Sequence, residues 1–368
     1  MASSPIPATM KAWTYSRPGP HRKVLSLIEV PTPPLPTGSQ LLFKVAYAGI
    51  DPSNTEVMRI LPSLLVRKNA IPGNEFSGTI MARGPDAPDH FAVGCKVLCV
   101  PPNDLILRGR GPFCEYICLE SKTSAIALVP EGMTMEEASC IGQCGIMAML
   151  IHKHGKLHQG NGYRILVNGA SGGCGSMFVQ VAVAIGAKEV VGICSAPNAE
   201  FVLGLGASRT IDYRTNVPLH EYLAKEYGTR PFDFVLDTIG AQELYTKSPG
   251  FLKENGAFVN IGNYAHGRFW MLVYVILNMF WPWWLGGTPR KFVIFTPQRD
   301  PEFMVKLMDL VREEKIKVHI EKVFTFVELC DVSVRLDLTI PITDYTQALD
   351  LGDTKRVRGR MVLRVGGD

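Results

Sequence analysis

The sequence carries little excess charge of either sign: 38 Lys and Arg residues stand against 34 Asp and Glu residues, a net charge of +4. A balance this small gives no basis for a nucleic-acid partner. The nine cysteines lack the spacing of a secreted disulfide framework, and the N-terminus lacks the apolar core of a signal peptide. We therefore expect a cytoplasmic protein. Its 368 residues, 46% of them hydrophobic, suit one large or two medium globular domains.

Long apolar runs are also scarce, with one exception at residues 269–285. This segment is slightly short of the roughly 20 residues of a membrane-spanning helix, and Pro282 interrupts it. We interpret it as a buried helix in a substrate pocket or a subunit contact; contact with a membrane interface is the alternative. The aromatic residues from Trp281 to Trp284 also favour a large apolar substrate, such as a polyketide-like enoyl group.

A turn of small residues between a strand and a helix is the most informative motif. Residues 164–168 are a short apolar run, and a helix-like apolar pattern begins at Met177. In this context the backbone can approach a pyrophosphate closely, and the N–H groups of the helix start bind its charge. The turn reads Ala-x-Gly-x-x-Gly, with alanine in place of the usual first glycine. The dinucleotide contacts that it predicts are Ala170, Ser171, Gly172, Gly173, Cys174 and Gly175.

No acidic residue directly follows the next predicted strand, residues 190–194, where a carboxylate would bind a ribose 2′-hydroxyl. Ser195 and Asn198 stand there instead. Because a carboxylate would repel a 2′-phosphate whereas hydroxyl and amide donors can hold one, we predict NADPH rather than NADH as the cofactor. Arg209 or Arg214 would supply the positive charge. In the alternative interpretation, Ser195 only caps the strand and the cofactor choice is made elsewhere.

The order of the predicted elements indicates two domains. Residues 1–132 are β-rich, with short apolar runs separated by proline and glycine. A helix predicted from Met135 opens residues 133–299, in which strand and helix signals alternate as in a parallel sheet, with strands predicted at residues 164–168, 190–194 and 232–237. Residues 300–368 return to strand-like patterns. We predict an α/β fold in which a doubly wound parallel sheet of Rossmann type is inserted into a β-rich domain, with the active cleft between them.

Nine short motifs follow one another along nearly the whole chain. They lie at residues 49–54, 72–78, 93–97, 111–116, 170–175, 205–207, 211–213, 237–240 and 359–363. Each is weak alone, but in this order they resemble the medium-chain dehydrogenase/reductase superfamily. More narrowly, the chain resembles its zinc-independent quinone oxidoreductases and enoyl reductases, including fungal ones. The resemblance implies that the β-rich domain is a GroES-like catalytic domain.

The resemblance also implies cofactor contacts beyond the turn. Ser195, Asn198 and Tyr213 would surround the 2′-phosphate of NADPH. The further contacts that it implies are Thr238, Asn260, Ile261 and Arg358. Considered without the resemblance, the arginines spaced by two near the C-terminus indicate a solvated turn rather than a phosphate-binding stripe; they are Arg356, Arg358 and Arg360.

Zinc-dependent relatives have a cysteine just after the first Gly-Ile step and a Gly-His-Glu segment later. In this chain Asp51 and Asn74 stand at the first ligand position and at the histidine position, and Glu75 follows. Two hard oxygens without imidazole or thiolate make a poor zinc site. Four cysteines between residues 95 and 118 lack the tight Cys-x-x-Cys spacing of a structural zinc site. We therefore predict no metal.

Without zinc, reduction of a simple ketone loses its Lewis acid. Hydride addition to an enone, enoyl group or quinone instead leaves a delocalised enolate that hydrogen-bond donors stabilise. We predict an NADPH-dependent oxidoreductase that reduces an activated carbon–carbon double bond, with Asp51, Asn54 and Thr55 as catalytic polar contacts. The alternatives are an alcohol dehydrogenase of the same superfamily or a catalytically silent NADPH-binding protein. The latter is credible because Met147 stands where relatives often place a threonine against the nicotinamide.

Residues 325–338 have no counterpart in the C-terminal tail of such relatives. They are either an added hairpin or translated non-coding sequence. The predicted substrate is a small molecule of unassigned identity, and the predicted assembly is a monomer or a homodimer.

Overall fold

The computed structural model describes residues 5–155, 162–261, 268–294, 301–326 and 357–366. The strands in these ranges are β1 (Thr9–Thr14), β2 (Ser26–Pro31), β3 (Gln40–Ile50), β4 (Phe76–Arg83), β5 (Lys96–Val100), β6 (Tyr116–Glu120), β7 (Ala125–Leu128), β8 (Arg164–Asn168), β9 (Glu189–Cys194), β10 (Arg209–Asp212), β11 (Phe232–Asp237), β12 (Leu252–Asn260), β13 (Lys291–Ile294), β14 (Ile320–Thr325) and β15 (Arg360–Arg364). The α-helices are α1 (His21–Val24), α2 (Pro52–Ile60), α3 (Asn103–Leu107), α4 (Met135–Gly155), α5 (Gly173–Ala184), α6 (Ala199–Gly204), α7 (Leu219–Tyr227), α8 (Gln242–Thr246), α9 (Arg268–Phe280) and α10 (Pro301–Arg312).

The chain divides into two compact units. The first contains Met1–Ile146, Gln298–Arg312 and Lys317–Asp368, and the second contains Met147–Pro297 with Glu313–Ile316. The predicted domain boundaries after residues 132 and 299 stay predictions.

The second unit is built on a six-stranded parallel sheet in the order β10-β9-β8-β11-β12-β13. Ile165, Leu166 and Val167 of the central strand β8 are fully buried, as expected for a strand covered on both faces. The strand order reverses between β8 and β11, which are hydrogen-bonded neighbours. Ligands of such sheets bind outside the carboxyl ends of the strands at the point of reversal.

The first unit is built on a seven-stranded sheet along the path β14-β15-β3-β4-β5-β7, with β6 added to β3. Its pairs are antiparallel except for β14 with β15. Phe43 and Phe76 meet edge to face in its core, with ring centroids 5.4 Å apart. Pairing of Met361 with Ile50 places the start of β15 beside the end of β3. This register brings the neighbouring Arg360 close to the loop that starts α2.

The structure confirms the predicted α/β architecture. The strands expected at residues 164–168 and 232–237 coincide with β8 and β11, and the helix expected from Met135 is α4. That helix begins at Met135 because Thr134 and Glu137 form a capping box: the Thr134 N–H donates to Glu137 Oε2 at 2.9 Å, and the Glu137 N–H donates to Thr134 Oγ1 at 3.2 Å.

The apolar segment at residues 269–285 differs from its main interpretation. Its first part is the helix α9, but Phe280, Trp283 and Trp284 are 72%, 67% and 70% exposed. The interpretation as a helix buried in a pocket of the chain is therefore wrong at these positions. None of the described helices has the length and hydrophobicity needed to cross a bilayer. Residues 327–338, most of the predicted insertion, lie outside the described residues.

Candidate functional site

The turn between β8 and α5 lies at the point where the strand order reverses. Gly169 has φ +78°, a conformation that favours glycine. A Cβ on Gly175 would lie 2.1 Å from the Gly169 carbonyl oxygen, so only glycine lets the helix start pack this closely on the turn. Gly172 is the N-cap residue of the 12-residue helix α5, and no side chain caps that helix start. A helix N-terminus of this kind is a site for anions such as a pyrophosphate.

Polar groups from neighbouring strands surround the same edge of the sheet. The Asn168 amide donates to Asp237 Oδ1 at 2.9 Å and so links the carboxyl ends of β8 and β11. Asp237 also accepts from the backbone N–H groups of Ile239 and Ala241, each at 3.0 Å. Burial raises the pKa of the Asp237 carboxyl despite these donors. Because its carboxylate accepts from the side chain that ends β8 and from the loop after β11, Asp237 fixes the reversal point rather than facing a substrate.

Three of the predicted cofactor residues lie beside this pair. The Thr238 hydroxyl donates to the Asn168 carbonyl at 2.8 Å, and the Ile261 N–H donates to the Asp237 carbonyl at 2.9 Å. Asn260 ends β12 and is 8% exposed, and its Oδ1 has no hydrogen-bond partner among the described residues.

A hydroxyl and amide cluster follows β9. The Asn198 amide donates to Ser171 Oγ at 3.2 Å and to Ser195 Oγ at 3.4 Å. It therefore connects the glycine-rich turn to the end of the neighbouring strand. No carboxylate stands from Ser195 to Ala199. The cluster presents uncharged hydrogen-bonding groups where an acid would repel a second phosphate.

The structure distinguishes the two arginines proposed to supply positive charge. Arg209 begins β10, and its guanidinium lies 3.6 Å from Glu226 Oε1. Arg214 follows the carboxyl end of β10 and lies over the ring of Tyr213, 5.6 Å from its centroid. Tyr213 is 45% exposed. Only Arg214 is therefore at the edge of the sheet that carries the Asn198 cluster.

The predicted catalytic residues begin α2 in the first unit. Asp51 is the N-cap residue: its Oδ1 accepts from the Ser53 N–H at 2.8 Å and from the Ser53 hydroxyl, and its Oδ2 accepts from the Asn74 amide at 3.2 Å. Asn54 completes the capping box through Oδ1, which accepts from the Asp51 N–H at 3.0 Å. The Asn54 amide nitrogen is buried and has no partner among the described residues. The Thr55 hydroxyl donates to the Pro52 carbonyl at 2.9 Å.

A buried ion pair lies next to this loop in the fold. Arg360 contacts Glu75 through Nη2, and its Nη1 lies 3.0 Å from Cys144 Sγ. Glu75 Oε2 also accepts from the Gln143 N–H at 2.8 Å. Arg360 is only 4% exposed, so its assignment to a solvated turn is wrong. The reason is the pairing of β15 with β3, which carries Arg360 into the interior.

These contacts leave a poor donor set for zinc. The Asp51 carboxylate is occupied by Ser53 and Asn74, the Glu75 carboxylate by Arg360, and Asn74 offers an amide where relatives have imidazole. Within the described part of the chain, no three His, Cys, Asp or Glu side chains are grouped as metal ligands. The residues present therefore do not fit a zinc ion.

The structure brings most predicted cofactor residues to one edge of one sheet. These residues are Ala170 to Gly175, Ser195, Asn198, Tyr213, Thr238, Asn260 and Ile261. Arg358 lies in the first unit, where its Nε is 3.4 Å from Glu321 Oε2. Sequence reasoning did not identify the roles of Asn168, Asp237 and Arg360. For the first two, their position at the ends of two predicted neighbouring strands was an available signal.

A doubly wound sheet with a glycine turn at its reversal point defines a dinucleotide-binding fold. Joined to an antiparallel β unit, it is the architecture of alcohol dehydrogenase-like oxidoreductases. A family model for the alcohol dehydrogenase GroES-like domain matches residues 37–145, and one for zinc-binding dehydrogenases matches residues 173–279.

Individual relatives are similar over almost the whole chain. The medium chain reductase pydE of an Acremonium species is 30% identical, over 97% of this chain and 99% of its own. The trans-enoyl reductase poxH of Penicillium oxalicum is 27% identical, over 97% and 98%. The solved quinone oxidoreductase of Coxiella burnetii has the same fold, with a TM-score of 0.76 at 24% identity over 97% of this chain and 100% of its own.

The chain therefore belongs to the medium-chain dehydrogenase/reductase superfamily of nicotinamide-dependent oxidoreductases. The resemblance predicted from the sequence motifs is confirmed.

Proposed function

We propose that this chain reduces an activated carbon–carbon double bond, in an enone, enoyl group or quinone, with NADPH and without a metal. The observation that carries this proposal is the glycine-rich turn at the reversal point, joined by Asn198 to an acid-free strand end. Fungal relatives named as trans-enoyl reductases support the choice of an enoyl substrate.

The residues of the second unit fit a phosphorylated dinucleotide. The start of α5 at Gly172 would hold the pyrophosphate. Ser195, Asn198 and Arg214 would hold the 2′-phosphate, because they offer a hydroxyl, an amide and a permanent positive charge. When bound, NADPH supplies the hydride to the β-carbon of the substrate, and the α-carbon then takes a proton from solvent or a side chain.

The first unit supplies one well-defined candidate for stabilising the substrate oxygen. Hydride addition places negative charge on that oxygen, which a pre-oriented donor stabilises. The Asn54 amide nitrogen is buried, and its carbonyl is held by the Asp51 N–H. Asp51 is engaged in capping α2, and the Thr55 hydroxyl donates to Pro52. Of the three predicted catalytic residues, Asn54 is therefore the one we propose as the donor.

We propose a reaction without a metal because the residues at the zinc position of relatives make a poor set of metal ligands. An alcohol dehydrogenase of this superfamily would need a Lewis acid for a simple carbonyl, and the carboxylates of Asp51 and Glu75 already have protein partners. An enolate is stabilised by delocalisation and needs only a hydrogen-bond donor. The geometry therefore favours enone, enoyl or quinone reduction over alcohol oxidation.

The test is NADPH consumption on a panel of enones, enoyl thioesters, quinones and simple ketones, with alcohols tested in the presence of NADP⁺. We expect turnover of the conjugated substrates only. Asn54→Asp keeps the capping acceptor and removes the donor, so we expect kcat to fall by about 10²–10³-fold while the affinity for NADPH is unchanged. Thr55→Val is the matched comparison and should have the smaller effect. Full activity of Asn54→Asp would refute the assignment of this donor.

A further inference from the structure

One surface of the second unit is unusually apolar and exposed. It is formed by the outer side of α9 and the turn that follows it, which we call the tryptophan surface. Its exposed members are Trp270, Ile276, Leu277, Met279, Phe280, Trp281, Trp283, Trp284 and Leu285. Exposed apolar side chains concentrated in one short segment mark a contact with a protein or a membrane.

The tryptophan surface is held in place by polar contacts on the other side of α9. Asn278 and Gln242 exchange two side-chain hydrogen bonds, at 2.8 and 2.9 Å. The Tyr245 hydroxyl lies 3.3 Å from the Asn278 carbonyl and 3.0 Å from the Arg290 carbonyl. The Trp281 indole N–H donates to the Leu285 carbonyl at 2.9 Å, which closes the turn. The exposed apolar side chains therefore project from an anchored helix and turn.

The composition of this segment is that of an interfacial element. Four of the five tryptophans of the chain lie between residues 270 and 284. Tryptophan is enriched where a protein meets the headgroup region of a bilayer, because its ring is apolar and its N–H is polar.

Charge distinguishes a lipid surface from a second copy of the chain. Arg290 and Lys291 directly follow the turn, no Asp or Glu lies between residues 268 and 294, and Lys291 is exposed in the strand after the turn. A symmetric dimer through this surface would place like charges against each other around an apolar centre. Anionic headgroups complement the same positive charges.

We propose that the tryptophan surface docks the protein peripherally on anionic lipid bilayers. Trp283, Trp284 and Phe280 would insert into the interface, and Lys291 would lie at the headgroups. The proposal concerns a surface of the second unit and does not depend on the substrate of the enzyme.

The test uses the full chain and vesicles of phosphatidylcholine, alone or mixed with phosphatidylserine. We expect co-sedimentation with the mixed vesicles, and quenching of tryptophan fluorescence by lipids brominated on their acyl chains. Trp283→Ser/Trp284→Ser should weaken partitioning by at least about tenfold. Lys291→Glu should weaken it by about fivefold or more on the anionic vesicles only.

The matched control is Leu64→Ser/Leu65→Ser, since Leu64 and Leu65 are exposed apolar residues outside the tryptophan surface. This variant should sediment like the wild type. Two results would overturn the proposal. One is failure of the wild type to bind either kind of vesicle. The other is a homodimer in light scattering that Trp283→Ser/Trp284→Ser converts to a monomer without any effect on lipid binding, which would assign the surface to a second copy.

Discussion

Two glycines of the same turn differ in the space around them. A Cβ on Gly172 would come no closer than 3.5 Å to the Gly169 carbonyl, whereas a Cβ on Gly175 would overlap it at 2.1 Å. Gly172 has φ −76° and ψ 173°, which any residue adopts. A larger side chain at Gly172 is therefore compatible with the fold and fills the space above the helix start, whereas one at Gly175 disturbs the fold itself.

We expect Gly172→Leu to abolish binding of both NADPH and NADH while lowering the free energy of unfolding by only about 1 kcal/mol, the cost of an aliphatic residue at an N-cap. Gly204→Leu is the matched control, because no atom lies within 4 Å of a Cβ there. Calorimetric titration and thermal melting of both variants measure the two effects. Retained nucleotide affinity in Gly172→Leu would discredit the proposed pyrophosphate site.

Arg214 and Arg209 make a second matched pair. Arg214→Ala should weaken NADPH binding by about tenfold, since it removes a charge-assisted hydrogen bond to a phosphate. NADH affinity should not change. Arg209→Ala removes a guanidinium that faces Glu226 instead, and it should alter neither affinity. Equal losses for both cofactors in Arg214→Ala would mean that this arginine does not contact a 2′-phosphate.

The alkylation rate of Cys174 measures whether a nucleotide is bound at the glycine-rich turn. It lies in the first turn of α5, is partly exposed and is not in a disulfide. NADPH at 100 times its Kd should slow alkylation of Cys174 by roughly 100-fold. Burial raises the pKa of Cys114 and of Cys140 to about 12. Because the thiolate is the reactive form and both side chains are buried, these two thiols should be alkylated far more slowly than Cys174 in the folded protein. Mass spectrometry of the alkylated peptides measures all three rates, and an unchanged Cys174 rate contradicts the site.

Pairing of β15 with β3 has a measurable energetic consequence. The pairing buries the Arg360–Glu75 ion pair, and removing one member leaves an uncompensated buried charge. Arg360→Met should therefore lower the free energy of unfolding by about 3–5 kcal/mol. Arg364→Met is the control on the same strand: its guanidinium is half exposed and lies 3.9 Å from Glu136, so the loss should be at most about 1 kcal/mol.

Denaturant titration of both variants provides this comparison. Replacing both members of the buried pair, in Glu75→Met/Arg360→Met, should recover part of the loss, because no charge is then left without its partner. If Arg360→Met lowers the free energy of unfolding no more than Arg364→Met does, the stability of β15 does not depend on the Arg360–Glu75 ion pair.

Across the whole chain, local patterns predicted the strands and the glycine turn, and they missed contacts between distant residues. β8 and β11 were predicted with their observed bounds because short apolar runs between turns define buried parallel strands. Glu75 and Arg360 are 285 residues apart, so no local spacing connects them. Exposure of Trp283 and Trp284 was not predictable either, since an apolar segment has the same pattern whether it faces a core or another molecule.

The most direct test of the account is calorimetric titration of the full-length chain with NADPH and, separately, with NADH. If the start of α5 binds the diphosphate, both nucleotides should bind saturably. If Asn198 and Arg214 also bind a 2′-phosphate, NADPH should bind more tightly than NADH by about tenfold or more. Tighter binding of NADH would contradict the assignment of Ser195 and Asn198, which follow β9, to a 2′-phosphate site. Failure of folded protein to bind either nucleotide would contradict the oxidoreductase function as a whole.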